Sequence, residues 1–184
     1  MIVLLIFLIL ALALIFWGAS VYNALVKLRV NVNNGWSQID VQLKRRHDLI
    51  PNLVETAKGY MAHEKETLEN VIKARQQAID ASSLKDKQQA ENFLSGTLRS
   101  LFAVSENYPN LKADRQMMQL HEEITSTENK IAFARQYYND EVGRLNTTVQ
   151  SVPDNIIAGM FHFEKREFFE IEDPGEKEAP KVKF

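Results

Sequence analysis

No cysteine occurs in the 184 residues. Disulfides, thiolate zinc sites, cysteine nucleophiles and lipid attachment at a thiol are therefore excluded, and the absence suits either side of a membrane. Glycine (7) and proline (5) are scarce. Before the last stretch of the chain the prolines are Pro51, Pro109 and Pro153. Sustained β-branched alternation is missing, and the Asn34-Gly35 pair falls inside a helical pattern, so no hairpin is signalled. An excess of one charge is lacking as well. A net charge of −2 argues against nucleic acid as a partner.

Chemical motifs are equally sparse. The histidines are His47, His63, His121 and His162, and no two stand at the spacing of a zinc-binding helix. A di-iron bundle needs Glu-x-x-His pairs, but the residues three before each histidine are Lys44, Tyr60, Met118 and Gly159. No phosphate-binding glycine loop and no Gly-x-Ser-x-Gly elbow is present. Glu64, Glu66, Glu69, Glu122 and Glu123 read as solvated helix faces. Lys44-Arg45-Arg46 reads as a solvated turn, with an anionic-lipid or partner patch as the alternative. Thr127, Glu128, Asn129 and Arg135 read as a partly buried polar network that fixes helix register. No catalytic residue, metal site, cofactor or small-molecule substrate is implied.

What the chain does have is one long apolar run. Met1 to Tyr22 carries no charged side chain, and fourteen of its residues are Leu, Ile, Val or Phe. As a helix it spans roughly 33 Å, close to the hydrocarbon thickness of a bilayer. Its insertion is favoured by on the order of 4 to 8 kcal/mol. A secretory signal would begin with a basic region and have a shorter apolar core. Gly18, Ala19 and Ser20 offer a place for cleavage, but the expectation is an anchor that stays. Phe16, Trp17 and Tyr22 suit the membrane interface. Lys27 and Arg29 follow the run, then Lys44, Arg45 and Arg46, with no basic side chain before it. The positive-inside rule then places the N-terminus outside and the remainder in the cytoplasm.

Beyond the anchor, apolar residues recur at steps of three and four. One stripe continues from it through Leu25, Leu28, Val32, Trp36, Ile39 and Leu43. Asp48 is placed to cap a second helix, with Pro51 in its first turn, running to about Ala81. A single helix kinked at Pro51 is the alternative. Ser82-Ser83 marks a turn before a third helix, Leu84 to Glu106, stopped at Asn107-Tyr108-Pro109-Asn110. The fourth stripe runs from Met117 to Val152, with Thr127 and Ala134 as its small positions. The helix that carries it, extending beyond the stripe to about 42 residues, would be roughly 63 Å long and would overhang its neighbours. The fold class expected is all-α: an N-terminal transmembrane helix followed by an antiparallel up-and-down four-helix bundle.

The boundaries expected are an anchor over 1–22, the bundle over 23–153, an aromatic-rich tail over 154–171 and a disordered end over 172–184. The second and fourth helices return toward the bilayer, so the segment after Pro153 should land near it. Met160, Phe161, Phe163, Phe168 and Phe169 are candidates for packing on the bundle, for assembly or for membrane contact.

Several blocks resemble the LemA family of bacterial membrane proteins. They are Tyr22-Asn23-x-Leu25-Val26-x-Leu28-Arg29, WSQIDVQLKRRHDLIPNLVET from Trp36 to Thr56, Gly59-Tyr60 and His63-Glu64. Further matches are Ser105 to Pro109, Leu111-Lys112-Ala113, Thr127-Glu128-Asn129-x-Ile131-Ala132-x-Ala134-Arg135, Tyr138-Asn139, Val142 and Pro153 to Phe161. Asp114 stands where members often have Asn, and Met160-Phe161 replaces a simpler Gly-Phe pair. The resemblance implies a single-pass protein of the bacterial inner membrane with a bromodomain-like helical bundle and no established catalytic residues. It also implies roles in membrane organisation and association with membrane metalloproteases of the HtpX kind. The functional expectation is a non-enzymatic, membrane-anchored scaffold that touches lipid and assembles as a homo-oligomer. The alternative is an accessory subunit of another membrane protein, a metalloprotease or a transporter.

Overall fold

A computed structural model describes residues 1–170, which form six helices and no strand. The expectations for Ile171 and for 172–184 lie outside the described residues. The helices are α1 (Ile2–Lys58), α2 (Lys65–Asp80), α3 (Leu84–Ser105), α4 (Pro109–Lys112), α5 (Arg115–Gln150) and α6 (Asp154–Met160). They make up two compact units. One comprises Met1–Ile39 and Phe133–Phe168, and the other is built chiefly of Asp40–Ala132.

In the Asp40–Ala132 unit, the core draws on every helix. Ile50, Leu53, Val54 and Ala57 come from α1, Leu68, Val71, Ala74 and Ala78 from α2, and Leu94, Leu98 and Leu101 from α3. Leu111 of α4 and Met117, Leu120 and Ile124 of α5 complete it. Fully burying one such side chain is worth about 1.5–3 kcal/mol. Polar contacts give the relative directions of the helices. Ser95 meets Glu128 and Phe102 stacks on His121, so α3 and α5 run oppositely. Arg45 meets Glu123 and Tyr60 bonds Asp114 just before α5, so α1 and α5 also oppose. Ser83 caps α3 by accepting from the Asp86 amide at 3.0 Å.

The first break does not fall at Asp48. Helix α1 runs through Pro51 to Lys58, and the chain turns over Gly59 to Glu64 instead. Proline has no N–H, so the carbonyl of His47 loses its usual partner four residues on. Arg75 of α2 supplies the replacement, its Nε donating to His47 O at 2.7 Å. The ring itself faces solvent. Arg75→Met should therefore cost about 1–3 kcal/mol, because it leaves a part-buried carbonyl without a donor. Adding Pro51→Ala returns an N–H to that carbonyl and should recover the loss, as read from denaturant midpoints of the single and double variants.

Helix α5 is also shorter than expected, at 36 residues, or about 54 Å. Asp114 sets its start by accepting from the Met117 amide at 2.9 Å, and Pro153 lies just beyond its end. The chain before it adds a short helix, α4, with Pro109 at its first position.

In the other unit, the stretch of α1 from Val21 to Ile39 packs along the second half of α5. Val21, Leu25, Val32 and Ile39 are buried with Ala134, Tyr138, Val142 and Leu145. Gly35 permits the closest approach, since a Cβ built there would lie 3.1 Å from the Tyr138 Cα. Asn31 donates to Glu141 at 2.9 Å, and Arg144 closes on the same carboxylate at 2.9 Å. At the far end of α5 the chain turns into α6, which lies on α1: a Cβ at Gly18 would sit 3.5 Å from Ile157 Cδ1.

Candidate functional site

Two side-chain clusters stand out, one in each unit. The first is ionic and lies in the Asp40–Ala132 unit. Arg46 is fully buried, which overturns its reading as part of a solvated turn. The cause is helical phase: Leu43, Ile50 and Leu53 form an inward stripe, and Arg46 and His47 fall on it. The guanidinium reaches two carboxylates, Nη2 donating to Glu91 and Nη1 to Glu128. Nη1 also donates to Ser95 Oγ at 2.9 Å. His47 Nε2 lies 2.9 Å from the other oxygen of Glu91. Arg46 Nε is buried and has no protein acceptor.

Of the polar residues singled out in the sequence, the structure brings Glu128 into this cluster. Thr127 is buried, but its hydroxyl turns back to the Glu123 carbonyl at 2.7 Å. Asn129 is exposed. Arg135 is half-buried and belongs to the other unit. In the sequence Arg46 is read only as part of a basic turn and His47 only as a metal candidate, while Glu91 and Ser95 are not singled out. Their signal was present, because charged residues at the phase of an apolar stripe must be paired or else destabilise the fold.

Burial alone would raise the Glu91 carboxyl, but the His47 hydrogen bond and the Arg46 charge outweigh it and hold the group below its ordinary value of 4.5. A depressed folded-state pKa stabilises the protein above the unfolded value, and that stabilisation is lost as pH falls through the folded value. Asp114 acts in the same direction, held below 3.8 first by the Met117 amide and also by the Tyr60 hydroxyl. Thermal unfolding in detergent should therefore be flat down to about pH 5, and Tm should fall steeply below the ordinary carboxylate range. Glu91→Gln should flatten part of that acid limb while lowering Tm at neutral pH.

The second cluster is aromatic and lies in the unit formed by Met1–Ile39 and Phe133–Phe168. The Phe161 and Phe163 rings sit 4.7 and 5.8 Å from Tyr22. Arg29 lies over the Phe163 ring at 5.0 Å, within cation–π range. A tight turn ends α6: the Phe163 amide donates to Ala158 O and the His162 amide to Gly159 O, with His162 at φ 55° where glycine is usual. The chain then returns along α5. Arg166 exchanges two hydrogen bonds with Asn146, and the Tyr138 hydroxyl donates to Glu167 O at 2.9 Å. Phe163 is buried, whereas Met160, Phe161 and Phe168 are exposed; Phe169, which is also buried, belongs to the other unit. Trp17 and Tyr22 are half-buried and Phe16 is exposed.

Helix α1 is long and apolar enough to cross a membrane, and no residue of its most apolar window is buried. The sequence pattern of the LemA family matches residues 35–184, most of the chain. The chain belongs to the LemA family. Protein LemA of Metamycoplasma hominis is 26% identical over 140 residues, covering 74% of this chain and 63% of that protein. Magnetosome proteins MamQ 2 and MamQ 1 of Paramagnetospirillum magneticum are each 22% identical over 181 residues, covering 84% of this chain and 66% of theirs. This LemA-family chain thus spans just under two thirds of the length of these relatives.

Proposed function

We propose that the protein is a non-enzymatic, membrane-anchored helical scaffold that self-associates and organises the membrane holding it. The observation that carries this reading is the state of α1. Residues 1–16 are exposed and uncharged, and the same helix enters a folded core at Val21 and Leu25 without a break. Lipid is the solvent that suits the first part, and packing on α5 suits the second. The family resemblance points to a bacterial inner membrane, and flanking charge favours Met1 on its outer side.

The helices that supply the apolar core are taken to form an antiparallel up-and-down four-helix bundle, in keeping with the opposed pairings of α3 and α1 with α5. In the ionic cluster each carboxylate is already bound to Arg46, which suits a structural role. Self-association is supported by large apolar side chains left on the surface, Phe133 and Val41 among them, at 73% and 63% exposure. Several anchors joined in one assembly would hold the membrane by avidity. Mass determination of the full-length protein in detergent is the test. An assembly of several 21.1 kDa chains at micromolar concentration is expected, and a strict monomer rejects the scaffold. Crosslinking in native membranes separates self-association from an accessory role beside another membrane protein.

A further inference from the structure

We propose that α6 and the turn after it form a second membrane contact, an apolar shelf lying on the lipid interface beside the span. This rests on the reading that the uncharged start of α1 sits in lipid. Three observations place the shelf there. First, α6 is seated on the uncharged run itself. Ile157 Cδ1 meets the Gly18 position at 3.5 Å, and the Phe161 ring meets Tyr22 at 4.7 Å. Gly18 lies about 13 Å along the helix before Lys27, the first charged side chain of the sequence. A bilayer that accepts the run as far as Tyr22 therefore has Ile157 at its own depth.

Second, the shelf has an inside and an outside. Ile157 and Ala158 are buried, while Ile156 and Met160, four residues apart on one helical face, are 57% and 67% exposed. Val152, just before α6, and Phe161, just after it, are also exposed apolar side chains. Third, charge is excluded from it. Between Ser151 and Phe163 the only side chain formally charged at pH 7 is Asp154, His162 being the one other titratable group, and Glu164, Lys165, Arg166 and Glu167 begin at once beyond. An apolar body with an abrupt charged rim is the pattern of a segment lying in the headgroup boundary. The occupant is lipid rather than a second copy of the chain because the patch is continuous with the lipid-exposed flank of α1.

The absence of cysteine makes the test direct. Ile156→Cys and Met160→Cys, each carrying an environment-sensitive fluorophore, are compared with Asn34→Cys and Leu8→Cys. Full-length protein is placed in vesicles of phosphatidylcholine and phosphatidylglycerol bearing nitroxide lipids, labelled in the headgroup region for positions 34, 156 and 160 and midway along the acyl chain for position 8. All four positions are exposed, so labelling leaves the packing intact. Quenching at 156 and 160 is expected to exceed that at 34 by about twofold or more, as for side chains about 5–10 Å into the boundary. Position 8 reports the span. If 8 is quenched while 156 and 160 match 34, the shelf is overturned and the span stands. If 8 is not quenched either, the span reading falls and the shelf with it. Protection of 156 and 160 from both lipid-borne and aqueous quenchers means that another protein surface covers them, which also overturns the proposal.

Discussion

Glu91→Leu is expected to destabilise the protein by about 3–5 kcal/mol, the loss typical of a buried ion pair stripped of one partner. Arg46 is fully buried, so its charge cannot turn to water when the carboxylate is removed. Glu128 remains, but its side chain is 36% exposed and already bound to the other amino group of Arg46. His47 would lose its acceptor at the same time. Urea unfolding of the full-length protein in detergent, followed by helical circular dichroism, reads the effect. Arg46→Met with Glu91→Leu removes both charges and should be distinctly more stable than Glu91→Leu alone, giving a large coupling in the double-mutant cycle. Arg46→Lys should behave as a loss, because an ammonium cannot span two carboxylates and a hydroxyl as the planar fork does. A cost below about 1 kcal/mol for Glu91→Leu would mean that the cluster is open to water.

The second large effect is expected at Gly35. A Cβ there would lie 3.1 Å from the Cα of Tyr138 and 3.3 Å from its Cβ and from the Tyr137 ring. Gly35→Leu forces α1 and α5 apart and should cost about 1–3 kcal/mol or more. The displacement would also disturb Tyr138, whose ring packs edge-on against Trp36 at 5.7 Å and whose hydroxyl holds the Glu167 carbonyl. Loss of the near-ultraviolet circular dichroism of Trp36 should therefore accompany the loss of stability. Gly35→Ala is the graded comparison, since alanine gains about 0.8–1 kcal/mol of helix propensity against a smaller clash. If Gly35→Leu were as stable as Gly35→Ala, the close approach would not be a constraint.

The helical class of this chain was legible because apolar spacing and sparse glycine and proline are both local signals. The start of α3 after Ser82-Ser83 and its end before Pro109 were legible for the same reason. Pro51 misled because the remedy for its missing N–H comes from Arg75, on another helix. No local pattern announces that. The length of α5 was overstated because its start is set by Asp114 accepting from the Met117 amide, which apolar spacing does not report. Glu128 was recognisable as part of a polar network, but its partners were not. Arg46 sits in a run of three basic residues, which resembles a solvated patch until the phase of Leu43 and Ile50 is followed through it. Gly35 was correctly placed inside a helix, but apolar spacing along one helix does not show that the glycine serves a close crossing with another.

The unbroken course of α1 from the apolar run into its packing with α5 has a geometric result. A helix turns about 100° per residue, so the compass bearing of every anchor side chain is locked to that of Leu25 and Val32. There is no swivel at the membrane surface on this side of the chain. Each molecule therefore offers the same flank of its anchor to a neighbour in the bilayer plane. Insertion of a single residue between Tyr22 and Leu25 would rotate that flank by more than a quarter-turn without altering one apolar side chain of the anchor.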